Sequence, residues 1–131
     1  MKHLLLVIGL LVGVKASAQE LVAQDFHANG KLHATRFNDG TMEYFITYFE
    51  TGRVASMGSY RNGLREGAWK EFAENGTIIT QAQFVNGQRQ GVWEFHKSSG
   101  PHAGRLYYEN GRLVGGEQYD ATGALVAQRN Y

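Results

Sequence analysis

Four histidines are the first residues to test for chemistry. His96 and His102 flank the turn pair Ser99-Gly100, and His27 and His33 flank Asn29-Gly30. Imidazole pairs brought together by a turn are a common start to a metal site. The 96/102 spacing matches none of the compact zinc motifs, however, and the linear sequence puts no third ligand beside it. The expectation is surface or sheet-edge histidines, with no metal and no cofactor. A hydrolase would need a nucleophile, a base and an oxyanion donor in register. Ser56, Ser59, Ser98 and Ser99 have no nucleophile-elbow context. Glu50, Glu74 and Glu109 read as solvated flanks of turns. Glu43 and Glu71 are the acids to watch if an aromatic face were to present a glycan. No residue is put forward as catalytic, and the chain reads as more non-enzymatic than enzymatic.

The aromatics say more. Tyr44, Phe45, Tyr48 and Phe49 form the densest group, and Trp69 and Trp93 stand 24 residues apart. Aromatics dominate interfaces as well as cores. These six are therefore the candidate binding residues, with core packing the competing explanation for the first four.

What must position them is a repeat. Gly52, Gly76 and Gly100 are spaced 24 and 24, as are Gly63, Gly87 and Gly111, and again Gly67, Gly91 and Gly115. Tyr60, Phe84 and Tyr108 keep the same interval three residues before the second series. The unit is aromatic-x-Asn-Gly-x-x-x-Gly-x-Trp, written YRNGLREGAW from Tyr60 to Trp69 and FVNGQRQGVW from Phe84 to Trp93. A decayed copy, YENGRLVGGE, runs from Tyr108 to Glu117, and FHANG with FNDG makes a divergent first unit whose glycines are ten apart. Recurrence at a fixed period marks an array of like supersecondary units.

Turn chemistry says what the units are. Of nine residue-glycine pairs at the turns, six are Asn-Gly or Asp-Gly, the pairs suited to two-residue hairpin turns with positive φ. The 9 to 12 residues between turns hold one strand and are rich in aromatic and β-branched side chains. They are too short for capped amphipathic helices, and too short for parallel crossovers. The expectation is an all-β, single-layer antiparallel meander of about eight to ten strands, built from tandem β-hairpin repeats. Trp69 and Phe72 have opposite parity, so a bulge near Gly67, and by repetition near Gly91 and Gly115, should reset the phase. A glycine there lets a neighbouring indole lie across the backbone.

On these residues the chain resembles the MORN-type repeat, in the bacterial variant often labelled a YwqK-like antitoxin protein. The resemblance covers about residues 26 to 123. It rests on Tyr60, Asn62, Gly63, Gly67 and Trp69; on Phe84, Asn86, Gly87, Gly91 and Trp93; and on Tyr108, Asn110, Gly111 and Gly115 in the partial copy. It implies a curved run of hairpins that scaffolds protein or membrane-surface contacts. Glu117 stands where a third Trp is due, which suggests that the sheet is closed off there.

The remaining features concern location. Lys2 and His3, the apolar run Leu4 to Val14, and Ala16-Ser17-Ala18 have the order of a secretory signal, and Lys15 ends the run well short of the roughly 20 residues a span needs. Residues 1–18 are read as a signal peptide and 19–131 as the repeat domain, with no transmembrane segment after cleavage. Losing Lys2 and Lys15 takes the basic count from 13 to 11 against 12 acidic residues, a balance without pull on nucleic acid. With no cysteine, packing and sheet hydrogen bonds alone must hold the fold. Together these point to a secreted or periplasmic scaffold or binding module for a protein, peptide or envelope component. The alternatives are a glycan- or peptidoglycan-binding protein or enzyme, and a self-associating homo-oligomeric module.

Overall fold

The computed structural model describes residues 20–131, so the expected signal segment lies outside the described residues. Twelve strands follow one another: β1 Glu20–Phe26, β2 Leu32–Asn38, β3 Glu43–Tyr48, β4 Val54–Arg61, β5 Leu64–Arg65, β6 Gly67–Phe72, β7 Ile78–Val85, β8 Gln88–Arg89, β9 Gly91–His96, β10 His102–Glu109, β11 Arg112–Tyr119 and β12 Leu125–Asn130. No helix occurs among them. All lie in one antiparallel sheet in chain order, with the two-residue strands β5 and β8 paired to β4 and β7 beside the main path. The fold is the single-layer hairpin meander expected. Its main path has ten strands, and it does not close at Glu117: β11 goes on to pair with β12.

Two kinds of turn recur along the chain, on opposite edges of the array, and a four-residue loop at Gly40 joins β2 to β3. At Asn62-Gly63, Asn86-Gly87 and Asn110-Gly111 both residues are left-handed, with the asparagines at φ 51, 48 and 50°. These are the two-residue I′ turns, whose twist matches that of the flanking strands. The turns at Gly30, Gly52, Gly76, Gly100 and Gly123 differ. In each, only the glycine has positive φ among the loop residues, and its N–H donates to the carbonyl three residues back, as from Gly52 to Phe49 at 2.8 Å. The residue preceding the loop also donates to the one following it, as Phe49 does to Arg53. That is the three-residue loop with a glycine bulge. Of the six Asn-Gly or Asp-Gly pairs, three therefore form two-residue turns. Asn29 and Asn75 instead accept the amide N–H two residues on, at 3.0 Å in both cases. Asp39 does the same and more, receiving Thr41 and Met42 N–H, and this pair of contacts holds its carboxyl below the usual range.

Register decides which side chains share a face, because cross-strand partners point the same way and neighbours along a strand point apart. Thr35 pairs with Ile46, Ile46 with Met57, and Met57 with Lys70. Phe37, two residues from Thr35, is on that same face. Here lies the compact core: Phe37 and Ile46 are each 1 % exposed, and Tyr48 joins them with Leu32, Tyr44, Val54 and Met57 packed around. Trp69, next to Lys70, points to the other face. The molecule thus buries one face of β2–β4 and builds its aromatic repeat on the opposite one.

Candidate functional site

Each intact repeat sends its Trp back over the preceding strand, made possible by a bulge glycine and a small residue beneath the ring, Gly58 in the first repeat and Ala82 in the second. Gly67 at φ +80° opens β5–β6 in a bulge. Gly58 then gives the ring its seat. A Cβ built there would come within 2.1 Å of Trp69 Cδ2, so only hydrogen fits beneath the indole. The ring is fixed at its polar end, where Trp69 Nε1–H donates to Ser59 O at 3.2 Å. One repeat later Gly91 carries the bulge at φ +72°, and Trp93 Nε1–H donates to Gln83 O at 3.2 Å. The glycine under the first indole is on the preceding strand, not the bulge glycine named from the sequence. Gly115 does not carry the bulge conformation at all: it is absent from the left-handed residues.

Stacked in register, these rings join. Tyr60 meets Trp69 edge-on at 5.2 Å, Trp69 meets Phe84 at 6.1 Å, Phe84 meets Trp93 at 5.1 Å, and Trp93 meets Tyr108 at 5.2 Å. Arg65 lies over Trp69 and Phe84, with its guanidinium carbon 4.9 and 5.2 Å from the ring centres. Arg89 repeats this over Trp93 and Tyr108 at 5.7 and 5.5 Å. Cation–π contacts of this kind hold each guanidinium flat while leaving its N–H groups free to donate. The hairpin tips stack too. Gly87 N–H donates to Arg65 O, Gly111 N–H to Arg89 O, Asn86 N–H to Glu66 Oε2 and Asn110 N–H to Gln90 Oε1, all at 2.8 or 2.9 Å. The period therefore runs through Arg65 and Arg89, and through Glu66 and Gln90. These pairs were readable 24 residues apart but carry neither glycine nor aromatic to draw the eye.

Between the two indoles runs a trough of about 280 Å³, walled by Arg65, Trp69, Phe84 and Trp93 and ending at Glu71 and Thr80. Thr80 Oγ1–H donates to Glu71 Oε2 at 3.2 Å. A larger cleft of about 540 Å³ sits between the tips at Gly40 and Gly63, but its walls are mostly polar, with Tyr60 the one aromatic ring among them. The trough combines the half-buried rings of Trp69 and Trp93 with guanidinium and carboxylate. This suits stacking on and hydrogen bonding to an extended chain.

The six candidate residues divide. Trp69 and Trp93 are brought together through Phe84. Tyr44, Phe45, Tyr48 and Phe49 do not form one patch. Tyr48 is 6 % exposed in the core, where burial raises its hydroxyl pKa. Tyr44 packs against that core and donates its hydroxyl to Asp39 at 3.1 Å; burial first, and then Asp39, raise its pKa. Phe45 lies on the ladder face under Arg36, at 5.2 Å, and Phe49 opens a turn. Glu43 pairs with Arg36 at 3.3 Å. Of the histidines, His96 and His102 meet across β9 and β10 with rings stacked at 4.7 Å, and Glu94 stands beside them. His27 and His33 are also in contact, at 4.5 Å.

A strand array whose hairpins repeat side chain for side chain belongs to the class of repeat proteins that serve as binding or scaffold modules. Residues 65–86 match the family model described as a MORN repeat variant, which supports reading the 24-residue recurrence on either side as MORN-type repeats. The match names the repeat and not the YwqK-like subfamily. No curated protein sequence matches the chain. Among solved structures it is similar to TarM, at 9% sequence identity and a TM-score of 0.49, over 86% of this chain. The same values hold for a mutant of S. aureus TarM in complex with Fondaparinux, alpha-GlcNAc-glycerol and UDP. The chain spans 23% of the length of those proteins.

Proposed function

We propose that the chain is an exported, non-enzymatic binding module that takes an extended segment of a protein or envelope component across the Trp69–Trp93 trough. The observation that carries this reading is the pair of indoles laid flat on the sheet, each with its N–H satisfied by backbone and a guanidinium beside it. Such rings present rigid apolar surface at little entropic cost. The Arg65 and Arg89 donors favour a segment that brings carboxylates or backbone carbonyls. The test is a pull-down from the native envelope fraction with the tagged chain, set against W69A/W93A and R65E/R89E variants of preserved sheet content. A partner retained by the wild type and lost by both variants supports the proposal; equal capture by all three sinks it. Quenching of tryptophan emission by cell-wall fragments, with no protein partner, would move the reading to the glycan alternative. Export is tested separately, by whether the secreted or periplasmic form begins at Gln19.

A second reading, self-association, is favoured by the two edges. Among the described residues β1 and β12 each pair on one side only, and Leu21, Val22, Leu125 and Val126 are 40 to 56 % exposed. Both strands contain the same run, Leu21-Val22-Ala23-Gln24 and Leu125-Val126-Ala127-Gln128. Antiparallel pairing of one copy's β12 with another's β1 would extend the meander and set Glu20 opposite Arg129 on one face. Pairing β1 with a second β1 would set Glu20 against Asp25, like charge against like. Sedimentation over a concentration series should show mass rising with concentration. E20R and R129E should each abolish this, and the charge-swapped double variant should restore it. A mass that stays monomeric throughout, or a swap that fails to restore, removes the reading.

A further inference from the structure

We propose that Glu94, His96 and His102 form a binding site for one divalent transition-metal ion of the zinc class. The site lies on the face opposite the aromatic trough, so it stands or falls independently of the binding reading above. Strand register brings it together. His96 and His102 are direct cross-strand partners at the turn end of the β9–β10 hairpin, and Glu94 is two residues before His96, hence on the same face. One ligand atom from each of the three lies within 4.8 Å of the other two. The edges of a tetrahedral site with bonds of about 2.0–2.1 Å are about 3.3 Å. Closing the set therefore requires separations of up to 4.8 Å to shorten by rotation of the side chains, which turns the two stacked imidazoles toward a common point.

Three further observations favour a ligand over a solvated surface cluster. His102 Nε2 is buried and has no hydrogen-bond partner, although a buried imidazole nitrogen ordinarily finds one. Its ring is held from both sides, by His96 at 4.7 Å and by Tyr119 at 4.8 Å, which fixes its plane before any ion arrives. The Glu94 carboxylate is also divided between two tasks. Oε1 faces Arg105 Nε at 3.5 Å, and Oε2 faces His96 Nε2 at 3.7 Å. A carboxylate oriented by an outer guanidinium while its second oxygen looks into the site is the arrangement in which a ligand's own partner positions it. Two imidazoles and a carboxylate, with no thiolate, suit Zn²⁺ and its neighbours rather than Ca²⁺ or Mg²⁺. The other histidine pair makes a contrast. His27 Nε2 is engaged with Tyr48 O at 2.8 Å and His33 Nδ1 with Asp25 Oδ2 at 3.1 Å, and among the described residues this pair does not gather a third ligand. Three protein ligands leave a fourth position for water or a donor from a bound partner.

Calorimetric titration of Zn²⁺ into the metal-free chain should give one saturable equivalent. His96→Ala and His102→Ala should each weaken binding at least tenfold, Glu94→Gln less, and His27→Ala not at all. Since His102→Ala also removes a stacked ring, a second measurement uses the unmodified chain: the electron paramagnetic resonance spectrum of bound Cu²⁺ should show coupling to two imidazole nitrogens. Absence of saturable Zn²⁺ binding overturns the proposal. So does binding that survives loss of both His96 and His102, or a Cu²⁺ spectrum without two coupled nitrogens.

Discussion

The copies at Tyr60–Trp69 and Phe84–Trp93 carry the same glycine spacing as the copy at Tyr108–Glu117, yet they build opposite surfaces. The registers explain why. From Tyr60↔Arg65 to Ser56↔Glu71, β4 moves four residues while its partner moves six. The same count holds from Phe84↔Arg89 to Thr80↔Phe95. In the third copy, from Tyr108↔Leu113 to Gly104↔Gln118, four residues face five. An even excess returns the strand to its original parity, so Trp69 and Trp93 point to the same face as Arg65 and Arg89. An odd excess flips everything beyond it, and Glu117 emerges on the other side, opposite Arg105. Large and small residues change places as well. Gly58 and Ala82 sit beneath rings from the next strand, whereas Leu106 fills that space itself against Gly116, where a Cβ would come within 3.1 Å of Leu106 Cδ2. The ladder ends at Tyr108 because the bulge loses one residue. The missing Trp follows from that change of face.

The largest expected effect breaks the seat of the first indole. Gly58→Ala should destabilise by about 2–3 kcal/mol, in the upper range for overpacking, because the methyl must displace an aromatic ring. In a Trp69→Ala background the same change should be nearly neutral, and a double-mutant cycle by denaturant unfolding measures the coupling. If the two changes simply add, the ring does not depend on that seat.

The turns make the next comparison. Asn86 holds a left-handed backbone at φ 48°, whereas Asn75 acts through its side chain, accepting Thr77 N–H and donating to Ser98 O at 2.8 Å. Alanine should cost about 1–2 kcal/mol at Asn86, from the left-handed penalty, and about 1 kcal/mol at Asn75, from lost hydrogen bonds. Glycine should rescue position 86 and not position 75. Thermal unfolding of the four variants decides this, and equal rescue at both sites would show that the two turns are alike.

Much of this architecture was legible because it is local. Asn62-Gly63 and its repeats set hairpins by backbone chemistry alone, and strand length followed from the spacing between them. The site was less legible because it depends on register. Nothing in YENGRLVGGE announces that Val114 supplies one extra residue where Glu66-Gly67 and Gln90-Gly91 supply two. Tyr44 and Tyr48 looked like a patch with Phe45 and Phe49, but strand alternation sends Phe45 to the opposite face from both tyrosines. Glu94 was invisible as a partner of His102 because their proximity is across strands rather than along the chain. Arg65 and Arg89 did recur at the period. Reading them as part of the ladder required knowing which way they point.

The face reversal also predicts what restoring the consensus would do. Glu117→Trp puts an indole opposite Arg105, away from Leu106 and Tyr108, so it should not lengthen the ladder or raise the melting temperature. A clear gain in stability would mean that the third copy can adopt the two-residue excess after all.

The smallest effect is a pH limit peculiar to the decayed copy, since a Trp at that position has nothing to titrate. Glu117 accepts a hydrogen bond from the Tyr119 hydroxyl, which is the main reason its carboxyl lies below its ordinary value of 4.5; Tyr107, Arg105 and His102 add to this. A carboxyl depressed in the folded state contributes stability above its unfolded pKa and loses it as pH falls through the folded value. The same bond, seen from Tyr119, raises the phenol above its ordinary 10.0. That contribution is full below 10 and disappears as pH rises through the folded value. The bond should therefore be worth a constant increment between the two limits and fade outside both. Glu117→Gln should flatten both limbs of the difference in melting temperature, measured from pH 3 to pH 11. Parallel curves for the two proteins across that range would show that Glu117 and Tyr119 do not couple, and that the reversed face of the third copy is electrostatically idle.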